Sequence, residues 1–190
     1  LMTYLSDSDL IPPEETLSIY LDTLKTMDST QMGNYLGLES LLNTSDSAKN
    51  SIASALVEQV HKCLDYQITS CDIQSYNAIV TAEVTTFDSA SILSDYQNSR
   101  DAYLSSVDAV IDGSSKRYEH SLELLLDSIN NNTSTVTSSV TFHLFNDGVS
   151  WKLLENSEAL GNAIFGTLST TPVPADPDSA IEDDDAEQLT

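Results

Sequence analysis

The stretch HLFNDGVSWKLLEN, His143 to Asn156, decides how this chain folds. Asp147-Gly148 is a hairpin signal, because a tight turn between antiparallel strands needs positive φ and these two residue types tolerate it. Apolar residues alternate on both sides: Val140, Phe142 and Leu144 before the turn, Trp151 and Leu153 after it. A period of two puts such side chains on one face of a strand. A two-residue Asp-Gly loop pairs Leu144 with Trp151 and Phe142 with Leu153, so the apolar side chains coincide. A three-residue loop pairs His143 with Trp151 and mixes the faces. We therefore expect the two-residue loop, with Trp151, the only tryptophan of the chain, on the packed side of a sheet. The preceding NNNTSTVTSS, residues 130–139, reads as a loop entering that strand.

A second hairpin lies upstream. Tyr66 and Ile68 alternate with polar neighbours, a turn falls near Gln74 and Ser75, and Tyr76, Ala78, Val80, Ala82 and Val84 alternate with Asn77, Thr81, Glu83 and Thr85. One face of this pair is packed and the other solvated.

The rest has a helical period. Pro12 and Pro13 pre-set a helix start, Glu14 and Glu15 suit its first turn, and Leu17, Tyr20, Leu21, Leu24 and Met27 make a stripe over 14–28. A short helix is expected around STQMGNYLG, capped at Gly37. Another begins at Asp46 and Ser47 and carries Ile52, Ala55, Leu56, Val60 and Cys63. Between Ser94 and Asn130, one apolar run holds Tyr103, Val107, Val110 and Ile111, and a second holds Tyr118, Leu122, Leu125 and Ile129. Gly113 divides them as a kink or break. Ser157 can cap a last short helix with Leu160, Ala163 and Ile164 on one side and Gly166 near its end. These elements specify an α+β fold: a curved antiparallel sheet of about four strands, with N-terminal helices and a long central helical region packed on its concave face. Residues 1–10 form an arm and 11–168 a single domain. Residues 169–190, rich in Pro, Ser and acids, read as a disordered tail.

Seven Lys and Arg stand against 30 Asp and Glu, a formal net charge of -23. That balance excludes a nucleic-acid surface, which needs basic side chains, and adhesion to an anionic membrane through basic patches. Its first meaning is solubility. Cys63 closes a helix while Cys71 lies well into the returning strand, which separates them by roughly 20 Å at strand rise. A disulfide needs Cα atoms within about 7 Å, so free, buried thiols are expected. No segment reaches the roughly 20 apolar residues of a membrane-spanning helix. The chain starts at Leu1, so we expect that the natural protein extends upstream, where a signal or lipid-anchor segment would stand.

Three segments carry a resemblance: EETLSIYLDTLKTMD near the start, the alternating YNAIVTAEVTTFD, and the closing GVSWKLLENSEALGNAIFG. With the order of elements, they make residues 10–168 resemble the nuclear transport factor 2-like superfamily, a cone-shaped α+β fold, and more narrowly a group of Gram-positive cell-surface lipoproteins. The resemblance implies a cone that is either a ligand pocket or a filled core. It also implies export and anchoring through an N-terminal lipidated cysteine, which this sequence does not contain.

Enzymes of that superfamily place an Asp or His base and a Tyr or protonated Asp donor inside the cone. Here the inward strand positions, Val80, Val84, Phe142, Leu144, Trp151 and Leu153, are all apolar, and acid-base chemistry needs an ionisable group there. His143 falls on the opposite face, and His61 and His120 read as surface histidines. No nucleophile elbow, EF-hand loop or Cys/His cluster is present, so no catalytic residue, cofactor or metal is expected. Tyr20, Tyr66, Tyr76 and Tyr103 fall on core-facing sides. Tyr20, Tyr66, Phe142 and Trp151 are the candidate wall of a ligand pocket. The sequence thus points first to a non-enzymatic, extracytoplasmic binding or interaction module, lipid-anchored at the bacterial surface in its full-length form. Its partner would be a small molecule or an extracellular protein. An isomerase- or dehydratase-like enzyme using the cone is the alternative, and a homodimer formed through the sheet is a third reading.

Overall fold

A computed structural model describes residues 10–28 and 47–165. Residues 1–9, the helix expected around Gly37, the cap at Gly166 and the acidic tail lie outside them. The described elements are α1 (Pro13–Thr26), α2 (Ser47–Cys63), β1 (Asp65–Gln74), β2 (Asn77–Phe87), α3 (Ser89–Leu104), α4 (Val107–Asn130), β3 (Thr135–Asn146), β4 (Trp151–Leu153) and α5 (Ser157–Phe165). The strands form one antiparallel sheet in the order β1-β2-β3-β4. The fold is therefore the expected α+β arrangement of a curved four-stranded sheet with helices on one face.

The alternation in β2 becomes burial directly: Ala78, Val80, Ala82 and Val84 are buried, whereas Asn77, Ile79 and Glu83 are exposed. Val140, Phe142 and Leu144 of β3 add to the same inner face. Leu17, Leu21 and Leu24 of α1 and Ile52, Leu56 and Val60 of α2 close over it, as their spacing of three and four requires. At one end of the sheet, Phe87 of β2 stacks on Phe165 of α5, with ring centroids 6.0 Å apart and planes 5° from parallel. Both rings are buried, which docks a nine-residue helix that could not persist alone.

The break at Gly113 is real: its φ of 77° and ψ of 173° interrupt α4 after one and a half turns. Arg117 Nη1 bridges the kink by donating to the Ala109 carbonyl at 2.8 Å, and Tyr103 Oη donates to Asp112 Oδ2 at 2.6 Å. Gln59 of α2 and Asn132 form a buried polar pair, Asn132 Nδ2 donating to Gln59 Oε1 at 3.2 Å and to the Ser134 carbonyl at 3.0 Å. This pair holds the exit of α4 at the entry to β3.

Several expectations are corrected. β3 begins at Thr135, so half of the supposed loop is strand; Thr135–Ser139 pair with Phe87–Glu83, and the hydroxyls of Thr85 and Thr137 meet at 2.7 Å. β-branched residues favour this pleated, half-exposed setting over a loop. The β3–β4 connection has four residues, pairing Asn146 with Trp151 and Leu144 with Leu153. Side chains explain the longer loop: Asn146 Oδ1 accepts from the Gly148 amide at 2.8 Å, and Asp147 Oδ1 from Val149 at 2.9 Å and Ser150 at 2.8 Å. Because the register moves by two, every side chain keeps its expected face. Val107, Val110 and Ile111 are 73%, 78% and 74% exposed, so among the described residues nothing packs over this part of the apolar run. Tyr76 sits in the β1–β2 turn and is 65% exposed. Cys71 is exposed rather than buried, and Cys63 is half-buried; both are free.

Candidate functional site

Among the described residues the helices do not cover the whole inner face of the sheet. After Ile68 a bulge shifts the register of β1, and beyond it Cys71 pairs with Val80 and Ile73 with Ala78. Both Cys71 and Ile73 thus belong to the inner side, yet both are exposed; the α1 residues beside them are those of its first turn, Pro13 and Glu14. The uncovered corner is a cleft of about 440 Å³, within the range of small-molecule pockets.

Three segments build it. The entry to α1 contributes Leu10, Pro12, Pro13 and Glu14. The β1–β2 hairpin contributes Ile73, Ser75 and Tyr76, and the β3–β4 hairpin contributes Asn146 and Trp151. Ser75 has a φ of 60°, a left-handed conformation uncommon outside glycine, asparagine and aspartate, and it sets Tyr76 at the rim. The two hairpins are joined where the Asn146 amide donates to the Tyr76 carbonyl at 2.7 Å. Asn146 is fixed a second time by its bond from Gly148, so the polar floor beside Trp151 is rigid. Trp151 is only 8% exposed. Its indole is a wall of the cleft backed by the core.

Glu14 is the one carboxylate among the described residues that line the cleft. Its Oε2 is buried and accepts no hydrogen bond among the described residues. Cys71 lies beside it: loss of solvation and then the Glu14 carboxyl push the thiol up to about 11, although the residue as a whole is exposed. The thiol, a weak donor, is hydrogen-bonded to the Glu14 carboxyl.

The candidate wall residues therefore separate. Trp151 lines the cleft. Phe142 is enclosed in the core. Tyr20 packs part-buried against that core. Tyr66 anchors α1 to β1: its hydroxyl lies 3.2 Å from the Ser18 carbonyl and 2.9 Å from Asp22 Oδ1, and Lys25 Nζ sits 5.8 Å from its ring centre. Desolvation, with help from Asp22, raises its pKa. Glu14, Asn146 and Ile73 were missed. Their convergence depends on how the chain before α1 crosses two hairpin ends, and no local period in the sequence encodes that.

The histidines have structural partners. His143 is on the outer face, as expected, with Nδ1 2.6 Å from Glu155 Oε1. His61 Nε2 donates to the Met27 carbonyl at 2.7 Å, tying α2 to the end of α1. His120 stacks against Tyr103 with centroids 4.0 Å apart. Among the described residues no group of three or more His, Cys, Asp or Glu is placed to hold a metal ion. No described helix is long and apolar enough to cross a membrane.

No family model and no curated protein matches the chain. A solved structure that it resembles is a Bacillus subtilis protein described as a "putative lipoprotein (ycdA)", at 19% identity and a TM-score of 0.47. The similarity covers 81% of this chain and 47% of that one, so the chain spans about half the length of this neighbour.

Proposed function

We propose that this protein is a binding module that takes a small molecule in the cleft before Trp151. The carrying observation is the inner corner of the sheet left open by the described residues, where a buried indole, a hydrogen-bonded asparagine and a carboxylate line one cavity. Apolar walls with a few fixed polar groups are the usual composition of a ligand site. In this reading the sheet is the cone of a nuclear transport factor 2-like protein and the cleft is its mouth. The compartment is extracytoplasmic, with a lipid anchor upstream; the acidic, Ser- and Thr-rich surface supports that placement. Titrating the fluorescence of Trp151 with a fragment panel tests the binding claim. It predicts saturable changes that Tyr76→Ala weakens, and a panel without effect on Trp151 contradicts it.

One observation favours the enzymatic alternative: Glu14 and Tyr76 supply a carboxylate and a phenol to the same cleft. Acid-base catalysis by such a pair works best where water is excluded, and Tyr76 stands largely in solvent. Binding is the better reading. A sheet-to-sheet homodimer has less support, since the outer face presents Thr81, Thr85, Thr137, Ser139 and Thr141 with Ile79 and Phe145 as its main apolar groups.

A further inference from the structure

The chemistry of the cleft narrows the ligand. An anion is disfavoured twice, by Glu14 inside the site and by a chain carrying a net charge of -23. Among the described residues no Lys or Arg lines the cavity to offset either. The Glu14 carboxylate on the cleft wall is an acceptor, and a charged N–H donor bonds to a carboxylate about twice as strongly as a neutral one. Aromatic faces at Trp151 and Tyr76 attract a cation further. Leu10, Pro12 and Ile73 present apolar surface for the remainder of a ligand.

We propose that the cleft selects small molecules with a protonated primary amine on an apolar body, Glu14 accepting hydrogen bonds from the ammonium while Trp151 and Tyr76 flank it. This rests on the cleft being a ligand site. A quaternary ammonium satisfies the aromatic walls but has no N–H for the Glu14 carboxylate, so it is the weaker ligand. A neutral alcohol supplies a hydrogen bond without the charge.

The test uses four probes of one shape at pH 7 and fixed ionic strength, read through Trp151 fluorescence: 2-phenylethylamine, 2-phenylethanol, 3-phenylpropanoate and trimethyl(2-phenylethyl)ammonium. The amine is expected to bind at least about tenfold tighter than the alcohol, the step that one charge-assisted hydrogen bond provides. The quaternary ion should fall between them and the carboxylate should not bind. Glu14→Gln should bring the amine down to the alcohol's level. The wild-type series decides even if that variant folds poorly. Alcohol or carboxylate binding as tightly as the amine overturns amine selection while leaving the cleft a ligand site. If neither these probes nor a neutral fragment panel perturbs Trp151, the cleft reading fails and this inference with it.

Discussion

Glu14, in the first turn of α1, and Cys71, on β1, face one another at the uncovered end of the sheet, and the carboxyl helps push the thiol up to about 11. Only the thiolate is a nucleophile. At pH 7 to 8 Cys71 should therefore react with iodoacetamide roughly a hundredfold more slowly than a thiol of pKa about 9. The rate should climb as pH rises through 11. Glu14→Gln should accelerate the reaction, since it removes the negative charge that disfavours the thiolate. A rate in wild type equal to that of an unhindered free thiol would show that the two groups do not interact.

Asp147 organises the β3–β4 loop. Its carboxylate accepts from Lys152 and from the Ser150 and Val149 amides, which holds its pKa far below the usual carboxylate range. A group whose folded pKa is depressed stabilises the fold fully above its unfolded pKa, about 4, and that contribution is lost as pH falls toward the folded value. Asp147→Ala should lower the denaturation midpoint at pH 7. The gap from wild type should narrow when both are measured between pH 4 and 2. A constant gap would contradict the assignment.

The pair of Gln59 and Asn132 is buried and satisfied by mutual and backbone hydrogen bonds. Asn132→Ala leaves Gln59 and the Ser134 amide without those partners and should cost about 1–3 kcal/mol, read by urea unfolding.

Phe165 fixes α5 to β2 through Phe87. Phe165→Ala removes a fully buried ring and should cost about 3–5 kcal/mol. Amide exchange in α5 should rise more than in α1, because the lost ring belongs to α5, leaving Leu160 and Ile164 to hold it.

The inner face of β2, the stripe of α1 and the break at Gly113 were legible in the sequence, since each follows from a period or from one residue's backbone freedom. Three other features were not. Val107, Val110 and Ile111 have the spacing of a packed face, but spacing says nothing about whether another element lies opposite. The loop after Asn146 is lengthened by side-chain bonds from Asn146 and Asp147 that a turn signal alone does not distinguish from a tighter hairpin. Of the four candidate pocket residues, Trp151 alone lines the cleft, while Tyr66 is engaged in holding α1 and Phe142 is enclosed. Glu14 looked like an ordinary first-turn acid. It enters the cleft because the chain before α1 passes over the end of β1, a long-range placement that no window of sequence contains.

The most direct measurement of the central claim uses the single indole of the chain. In a ¹⁵N–¹H spectrum Trp151 gives one side-chain resonance, and small-molecule fragments can be titrated against it together with the backbone amides. If the cleft is the binding site, fragment-induced shifts will centre on the Trp151 indole and on the amides of Glu14, Ser75, Tyr76 and Asn146. Shifts that gather elsewhere, on the exposed face of Val107, Val110 and Ile111 or across the outer sheet, with the indole unmoved, would contradict the account.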